Sequence, residues 1–177
     1  MSETIVIPWS GGDLVLRPEA PDDLIFRYEL FCNSRTPEWY QAGLPDALMT
    51  QLMQHQFRAQ TDSYLAEFSE ARFDIIELNG RRIGRIVVDR AHGDINLVDQ
   101  AIIPELRNQG MGTAILRWLI AESTAADLPI SLYVANSNDP SLHLYRRMGF
   151  REIEDTQVYI KMIRPPGPEA PPPPEAS

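Results

Sequence analysis

The chain has 177 residues, 44% of them hydrophobic, and a formal net charge of −9, enough for one domain with a sizeable core and short for two. The acidic balance argues against non-specific nucleic-acid binding, which needs a basic face, and is compatible with a cationic, amine-bearing substrate. The single cysteine, Cys32, precludes an intrachain disulfide and suits a reducing compartment; it sits among Tyr28, Leu30 and Phe31 and reads as a buried structural thiol.

Glu3 stands where a signal peptide would be basic, and the apolar run Ile5–Ile7 is short, so no leader is expected. No apolar stretch approaches the roughly 20 residues of a membrane helix, and a cytoplasmic location is expected. The Ser10-Gly11-Gly12 turn leads into a strand from Asp13 to Pro18. Pro21-Asp22-Asp23 then has the acidic start of a helix reaching about Phe31. A loop around Thr36-Pro37 and Gly43 precedes a second helix opened by Pro45-Asp46. Its apolar stripe is Leu48, Leu52, Met53 and Phe57, with helical character continuing through Tyr64, Leu65 and Phe68. Strands Phe73–Leu78 and Arg82–Asp89 flank Asn79-Gly80, whose two positions must take positive φ in a tight hairpin. His92-Gly93 turns the chain into a β-branched run, Ile95–Ile103, stopped by Pro104.

A polar turn follows, Arg107-Asn108-Gln109-Gly110-Met111-Gly112, and from Thr113 the spacing of Ile115, Leu116, Leu119 and Ile120 is helical. Strand, glycine-bearing turn and helix start form an anion site, because the first helical amides lack internal acceptors and the helix dipole favours negative charge. The glycine spacing excludes a Walker loop and a dinucleotide turn: no Lys-Ser/Thr follows, and position 115 is isoleucine. Ile130–Ala135 is a further strand. Asn136-Ser-Asn-Asp-Pro140 is a turn with helix-start chemistry, and Ser141–Phe150 follows it. Phe150–Ile153 and Val158–Met162 read as two last strands around Asp155-Thr156. Residues 1–164 are expected to form a single domain. Residues 165–177, Pro-Pro-Gly-Pro-Glu-Ala-Pro-Pro-Pro-Pro-Glu-Ala-Ser, have the composition of a disordered, polyproline-type tail.

Arg107-x-x-Gly110-x-Gly112 resembles the Q/R-x-x-G-x-G/A loop of the GCN5-related N-acetyltransferases (GNAT). Asn138, Ser141, Leu144, Tyr145, Gly149 and Phe150 resemble the same family's N-x-x-A/S-x-x-L-Y-x-x-x-G-F pattern, in the right order and about thirty residues further on. The resemblance covers roughly Leu14 to Met162. It implies an α+β fold with a mixed, mostly antiparallel sheet flanked by helices, the acyl-CoA N-acyltransferase fold. It implies acetyl-CoA as cosubstrate and an amine acceptor. The backbone of Arg107, Asn108, Gln109, Gly110, Met111, Gly112 and Thr113 would ring the pyrophosphate. Gln100, Ala101 and Ile102 would bind the pantetheine arm at a splay in the strand, with the Gln100 amide polarising the acetyl carbonyl. Asn138 would contact the cofactor, and Tyr145 would protonate the departing thiolate, although a tyrosine on a helix is otherwise most often core.

The resemblance does not supply a base. Positions where family members carry a glutamate are Asn96 and Tyr133 here, which leaves Asp94, Asp99 and Glu77 as candidates. In the family the first helix pair walls the acceptor cleft, so Trp39, Tyr40 and Tyr64 are substrate-side candidates. His55, His92 and His143 lack metal-ligand spacing; no metal is expected, and His143 reads as a surface residue. The activity implied is transfer of acetyl to a primary amine of a small molecule or a protein, by a monomer or homodimer. From another class, the fold could serve as a non-catalytic acyl-CoA sensor, against which Tyr145 argues. A toxin acetylating aminoacyl-tRNA is disfavoured by the acidic charge.

Overall fold

The computed structural model describes residues 3–40 and 43–168, with the side chains of 36–40 left out of the description. In chain order the elements are β1 (Ile5–Trp9), β2 (Gly12–Pro18), α1 (Leu24–Tyr40), α2 (Asp46–Glu67), β3 (Arg72–Leu78), β4 (Arg81–Asp89), β5 (Ile95–Ile102), α3 (Met111–Ala126), β6 (Ile130–Ala135), α4 (Asp139–Arg147), β7 (Arg151–Asp155) and β8 (Tyr159–Arg164). Short 3-10 turns at Pro21–Asp23 and Pro104–Leu106 lead into α1 and out of β5. The eight strands have the order β1-β2-β3-β4-β5-β6-β8-β7. The recorded registers are antiparallel except for β5 with β6. This is the mixed, mostly antiparallel sheet with helices that the sequence implies.

The chain divides into two compact units, one of residues up to Val87 with Asp99–Arg107, the other of Val88–Val98 with the residues from Asn108 onward. In the first unit, alternation along β2 buries Leu14 and Leu16 on one face, while β3 and β4 are buried on both faces, with Ile75 and Ile76 adjacent on β3 and Ile83 and Ile86 on β4. A smaller apolar cluster holds α1 to α2, with Phe31, Met53 and Phe57 at its centre and Tyr28, half-buried Cys32 and Met49 around it. Asn79 and Gly80 both take positive φ, 51° and 76°, as a two-residue hairpin that matches strand twist requires. In the second unit, Met111, Ile115, Leu116, Leu119 and Ile120 of α3 and Ile130 and Leu132 of β6 are buried.

Several boundaries depart from the sequence reading. The run Ile5–Ile7 is part of β1, which pairs antiparallel with β2 from Ile5↔Leu16 to Trp9↔Gly12; five residues are too few to show a period. Helix α1 continues through Thr36 and Pro37 to Tyr40 instead of breaking there; a proline costs a helix one amide, and here the helix runs past that loss. Helix α3 begins at Met111, two residues before Thr113. Helix α4 begins at Asp139 with Pro140 in its first turn, where a missing N–H costs nothing.

The anticipated tail starts as an anchored segment. Buried Arg164 donates from Nη1 to the carbonyls of Pro165 and Gly167 at 3.1 and 3.0 Å, and from Nη2 to that of Pro168 at 2.9 Å. The Thr124 hydroxyl donates to the Gly167 carbonyl at 2.9 Å. Residues 169–177 lie outside the described residues.

Candidate active site

The pairing of β5 with β6 is short. It comprises three pairs, Ile95↔Ile130 to Leu97↔Leu132, while β6 keeps its antiparallel pairing with β8 to Ala135↔Tyr159. Tyr133, Val134 and Ala135 therefore present a strand edge with no recorded partner on the β5 side. Such an edge offers backbone donors and acceptors to an extended ligand.

The turn after β5 is built for close approach. Arg107 Nε donates to the Ile102 carbonyl at 2.9 Å, tying the turn to the end of the strand. Asn108 and Gly110 both take positive φ, 60° and 87°. Gly110 is the N-cap of α3 and carries no side-chain cap, so the amides of Met111, Gly112 and Thr113 have no helical acceptor. Any other residue at Gly110 would add left-handed strain. Buried Met111 locks the helix start into the core, and the Ala114 N–H closes the first turn on the Gly110 carbonyl at 3.0 Å.

Upstream on β5, Gly84 of β4 allows a tight approach: a Cβ there would lie 2.3 Å from the Ala101 carbonyl and 2.8 Å from Ile102 Cδ1. The Ile103 N–H donates to the Ile83 carbonyl at 2.8 Å. Gln100 Oε1 is buried with no hydrogen-bond partner in the described structure, an uncommon state for a polar atom.

Helix α4 holds Tyr145. Asn138 is its N-cap, with Oδ1 accepting the Ser141 N–H at 3.3 Å. At the other end Gly149, at φ 91°, lets the chain reverse, and the Phe150 N–H bonds the Tyr145 carbonyl at 3.0 Å. The half-buried Tyr145 ring lies against Phe150 with centroids 5.5 Å apart. Arg164 Nε donates to the Met148 carbonyl at 2.9 Å, bracing this turn from β8.

A second polar centre lies in the first unit. Arg85, only 7% exposed, bonds Glu19 through Nε and reaches Asp99 Oδ2 through Nη1 at 3.5 Å. Glu19 also meets Arg27 at 3.3 Å. Burial pushes the Asp99 carboxyl above the ordinary aspartate range, against the opposing pull of Arg85, Arg35 and the Gln100 backbone N–H, and the Glu19 charge adds to the rise. Nearby, Asp23 behaves oppositely. Bidentate bonds from Arg17 at 2.8 and 2.9 Å hold its carboxylate down at about 2, helped by the Ala20 N–H.

A model of the acetyltransferase (GNAT) family matches residues 29–150. The chain belongs to the GNAT family. Among relatives, an N-alpha-acetyltransferase of Sulfurisphaera tokodaii is 30% identical over 111 residues, 54% of this chain and 65% of that protein. An uncharacterised N-acetyltransferase of Methanocaldococcus jannaschii is 25% identical over 111 residues, 57% of this chain and 48% of that protein. The chain thus spans between about half and two thirds of the length of these relatives. Among solved structures, the PaiA N-acetyltransferase of Thermoplasma acidophilum, crystallised with coenzyme A, shares the fold at a TM-score of 0.64 and 17% identity, covering 86% of this chain and 98% of that one.

Within this GNAT chain, the anticipated residues fall on the expected elements. Gln100, Ala101 and Ile102 lie on β5, Arg107 to Gly110 on the turn into α3, Met111 to Thr113 in the first turn of α3, Asn138 at the N-cap of α4 and Tyr145 within it. Of the carboxylates, Asp94 accepts from the Ser131 hydroxyl at the start of β5, and Glu77 accepts from Arg17 Nε at 2.7 Å. Asp99 has only the long contact to Arg85 among its recorded side-chain partners. Tyr64 packs on Phe68, with centroids 6.1 Å apart; the side chains of Trp39 and Tyr40 lie outside the described residues. His143 is exposed. Glu19, Arg27 and Arg85 were not legible as site residues. Arg85 did carry a signal, as a charge inside the apolar run Ile83–Val88, where burial demands a partner.

Proposed function

We propose that this protein is an acetyl-CoA-dependent N-acetyltransferase that moves an acetyl group directly to a primary amine of a small molecule or a protein. The observation that carries the reading is the three-pair limit of β5 on β6 in the unit that also holds the glycine-capped start of α3. The open strand edge suits an amide-bearing pantetheine arm, and the free amides of α3 suit a pyrophosphate. The relatives named N-acetyltransferases and the neighbour crystallised with coenzyme A support the same chemistry.

In this reading Met111, Gly112 and Thr113 hold the pyrophosphate through backbone amides, and Asn138 and the Gln100–Ile102 backbone orient the arm. The acceptor nitrogen bonds to the thioester carbon as the C–S bond breaks. The Gln100 N–H, which bonds the ionised Asp99 carboxylate, is released as that carboxylate takes up a proton and then stabilises the carbonyl oxygen as it gains charge. Asp99 takes a proton from the acceptor ammonium before attack. Tyr145 gives its proton to the leaving thiolate, a transfer slightly uphill from a phenol pKa near 10 to a thiol pKa near 8.5, and the second proton, shed by the nitrogen as the amide forms, restores the phenol. Asp99 is favoured over Asp94 and Glu77 because those two carboxylates are engaged at close range by Ser131 and Arg17.

The test is release of free CoA thiol from acetyl-CoA in the presence of polyamines, amino acids, aminoglycosides and peptides with free N-termini. Turnover with at least one amine is expected. Tight acetyl-CoA binding with no thiol release from any of them would overturn the enzyme reading in favour of an acyl-CoA sensor.

A further inference from the structure

We propose that Glu19 and Arg85 are positioning residues for Asp99: Glu19 draws the Arg85 guanidinium toward itself, leaving the Asp99 carboxylate loosely paired and able to take a proton from the acceptor ammonium. The inference rests on the reading of Asp99 as the base, and it adds two residues that neither sequence motif contains.

The geometry is unequal in a way that matters. Arg85 is buried, so its charge must be satisfied by protein groups. Its Nε bonds the Glu19 carboxylate at short range, whereas its Nη1 stands 3.5 Å from Asp99, at the outer limit of a hydrogen bond. Glu19 is a strong competitor for that cation because its place is fixed. Its own N–H donates to the Phe73 carbonyl at 3.0 Å, and the Phe73 ring lies 5.6 Å from the Arg85 guanidinium carbon. Arg27 is ion-paired with Glu19 as well, its Nε 3.3 Å from the carboxylate without hydrogen-bond geometry, so two guanidiniums converge on one carboxylate.

A bidentate Arg85–Asp99 pair would hold Asp99 ionised and make it a poor base. Instead, burial dominates. The charged groups that act on Asp99 are Arg85 from β4, Arg35 from α1 and Glu19 from the segment after β2, and Arg27 of α1 meets Glu19. Arg85 and Arg35 favour the carboxylate, and Glu19 opposes it. Asp99 is 28% exposed, so a proton can reach it. The step is a simple transfer: one proton leaves the acceptor ammonium, the carboxylate becomes a carboxylic acid, and the amine lone pair is freed for attack.

The experiment follows the Asp99 carboxyl carbon by NMR titration in protein labelled at aspartate, assigned with Asp99→Asn, and sets it beside the pH dependence of kcat/KM for acetyl transfer. Glu19→Gln removes an opposing charge and releases Arg85 toward Asp99. The Asp99 midpoint and the acidic limb of the rate profile should both move down by about one pH unit, the scale of a single close charge. Arg85→Met should move both upward, and Arg85→Lys, which keeps the cation, should restore the midpoint toward that of the wild type. A purely structural role would lower stability without moving the midpoints in opposite directions. An unmoved Asp99 midpoint in folded Glu19→Gln would overturn the proposal. Midpoints that move while Asp99→Asn transfers acetyl at the wild-type rate would overturn the base assignment beneath it. Absence of thiol release from the wild type is a failure of the acetyltransferase reading itself, and it is scored before any variant is compared.

Discussion

The turn into α3 and the cluster around Arg85 are both polar, and they are made of opposite materials. The turn works through backbone: Asn108 and Gly110 at positive φ, an uncapped helix start, and amides with no helical acceptor. Its only cation in the motif, Arg107, has its Nε on the Ile102 carbonyl. The cluster works through side chains drawn from β4, β5, α1 and the segment after β2, each useful only because another holds it in place. Backbone sites tolerate side-chain variation and fail when a glycine is lost. Side-chain sites fail when one charge changes, and their failure shows in pH dependence.

The largest effect should come from the backbone site. Gly110→Glu puts a carboxylate and a strained left-handed residue where the phosphates would bind, and acetyl-CoA affinity should fall by about a hundredfold or more. Calorimetry giving an affinity within twofold of wild type would break the contrast at its first term. Tyr145→Phe comes next. Loss of the hydroxyl should slow the single-turnover rate roughly ten- to a thousandfold while the acetyl-CoA dissociation constant moves less than about threefold. An unchanged rate would return Tyr145 to a packing role against Phe150.

Two aspartates in the first unit sharpen the comparison through stability. Asp23 is 1% exposed and its carboxyl is held down at about 2. The folded state therefore binds fewer protons than the unfolded one, and stability present above the ordinary aspartate range is lost as pH falls toward 2. Asp23→Asn should cost about 1–2 kcal/mol at pH 7, reduced from the full shift because Arg17 is partly exposed, and almost nothing near pH 2. Asp99 has the reverse sign. Its folded carboxyl is raised, so it works against folding as pH rises above about 4, the unfolded value. Asp99→Asn should leave stability unchanged at pH 4 and raise the melting temperature at pH 8, while lowering the rate of acetyl transfer. Urea melts at the two pH values check both signs.

The smallest effect concerns the root of the tail. A chain ending at Pro168 keeps the carbonyls that Arg164 and Thr124 engage, and one ending at Arg164 loses them. The shorter chain should be less stable by about 1 kcal/mol, a few degrees at most for a protein of this size, since its new terminal carboxylate partly replaces them. Equal melting temperatures would show that solvent satisfies Arg164 as well as the carbonyls do.

Local features were legible because their causes are local. Asn79-Gly80 demanded a hairpin, and Arg107-x-x-Gly110-x-Gly112 demanded a turn that backbone amides could line. The order of the last two strands was not legible. β8 lies between β6 and β7; the four charges of Arg151-Glu-Ile-Glu-Asp155 suit an edge strand, but chain order alone would place β7 next to β6. The continuation of α1 past Pro37 was hidden for a related reason: proline marks a local cost to a helix without showing what offsets it.

What the sequence determined by itself was the family and the elements that its motifs require, since strand, glycine turn and helix start are consecutive in the chain and their periodicity is set by backbone geometry. What the tertiary structure decided was which charges meet. Glu19, Arg85 and Asp99 are separated by 66 and 14 positions, and no periodicity links them. Desolvation and distance assign Arg85 mainly to Glu19 and leave Asp99 loosely held, and both quantities exist only once the chain has folded.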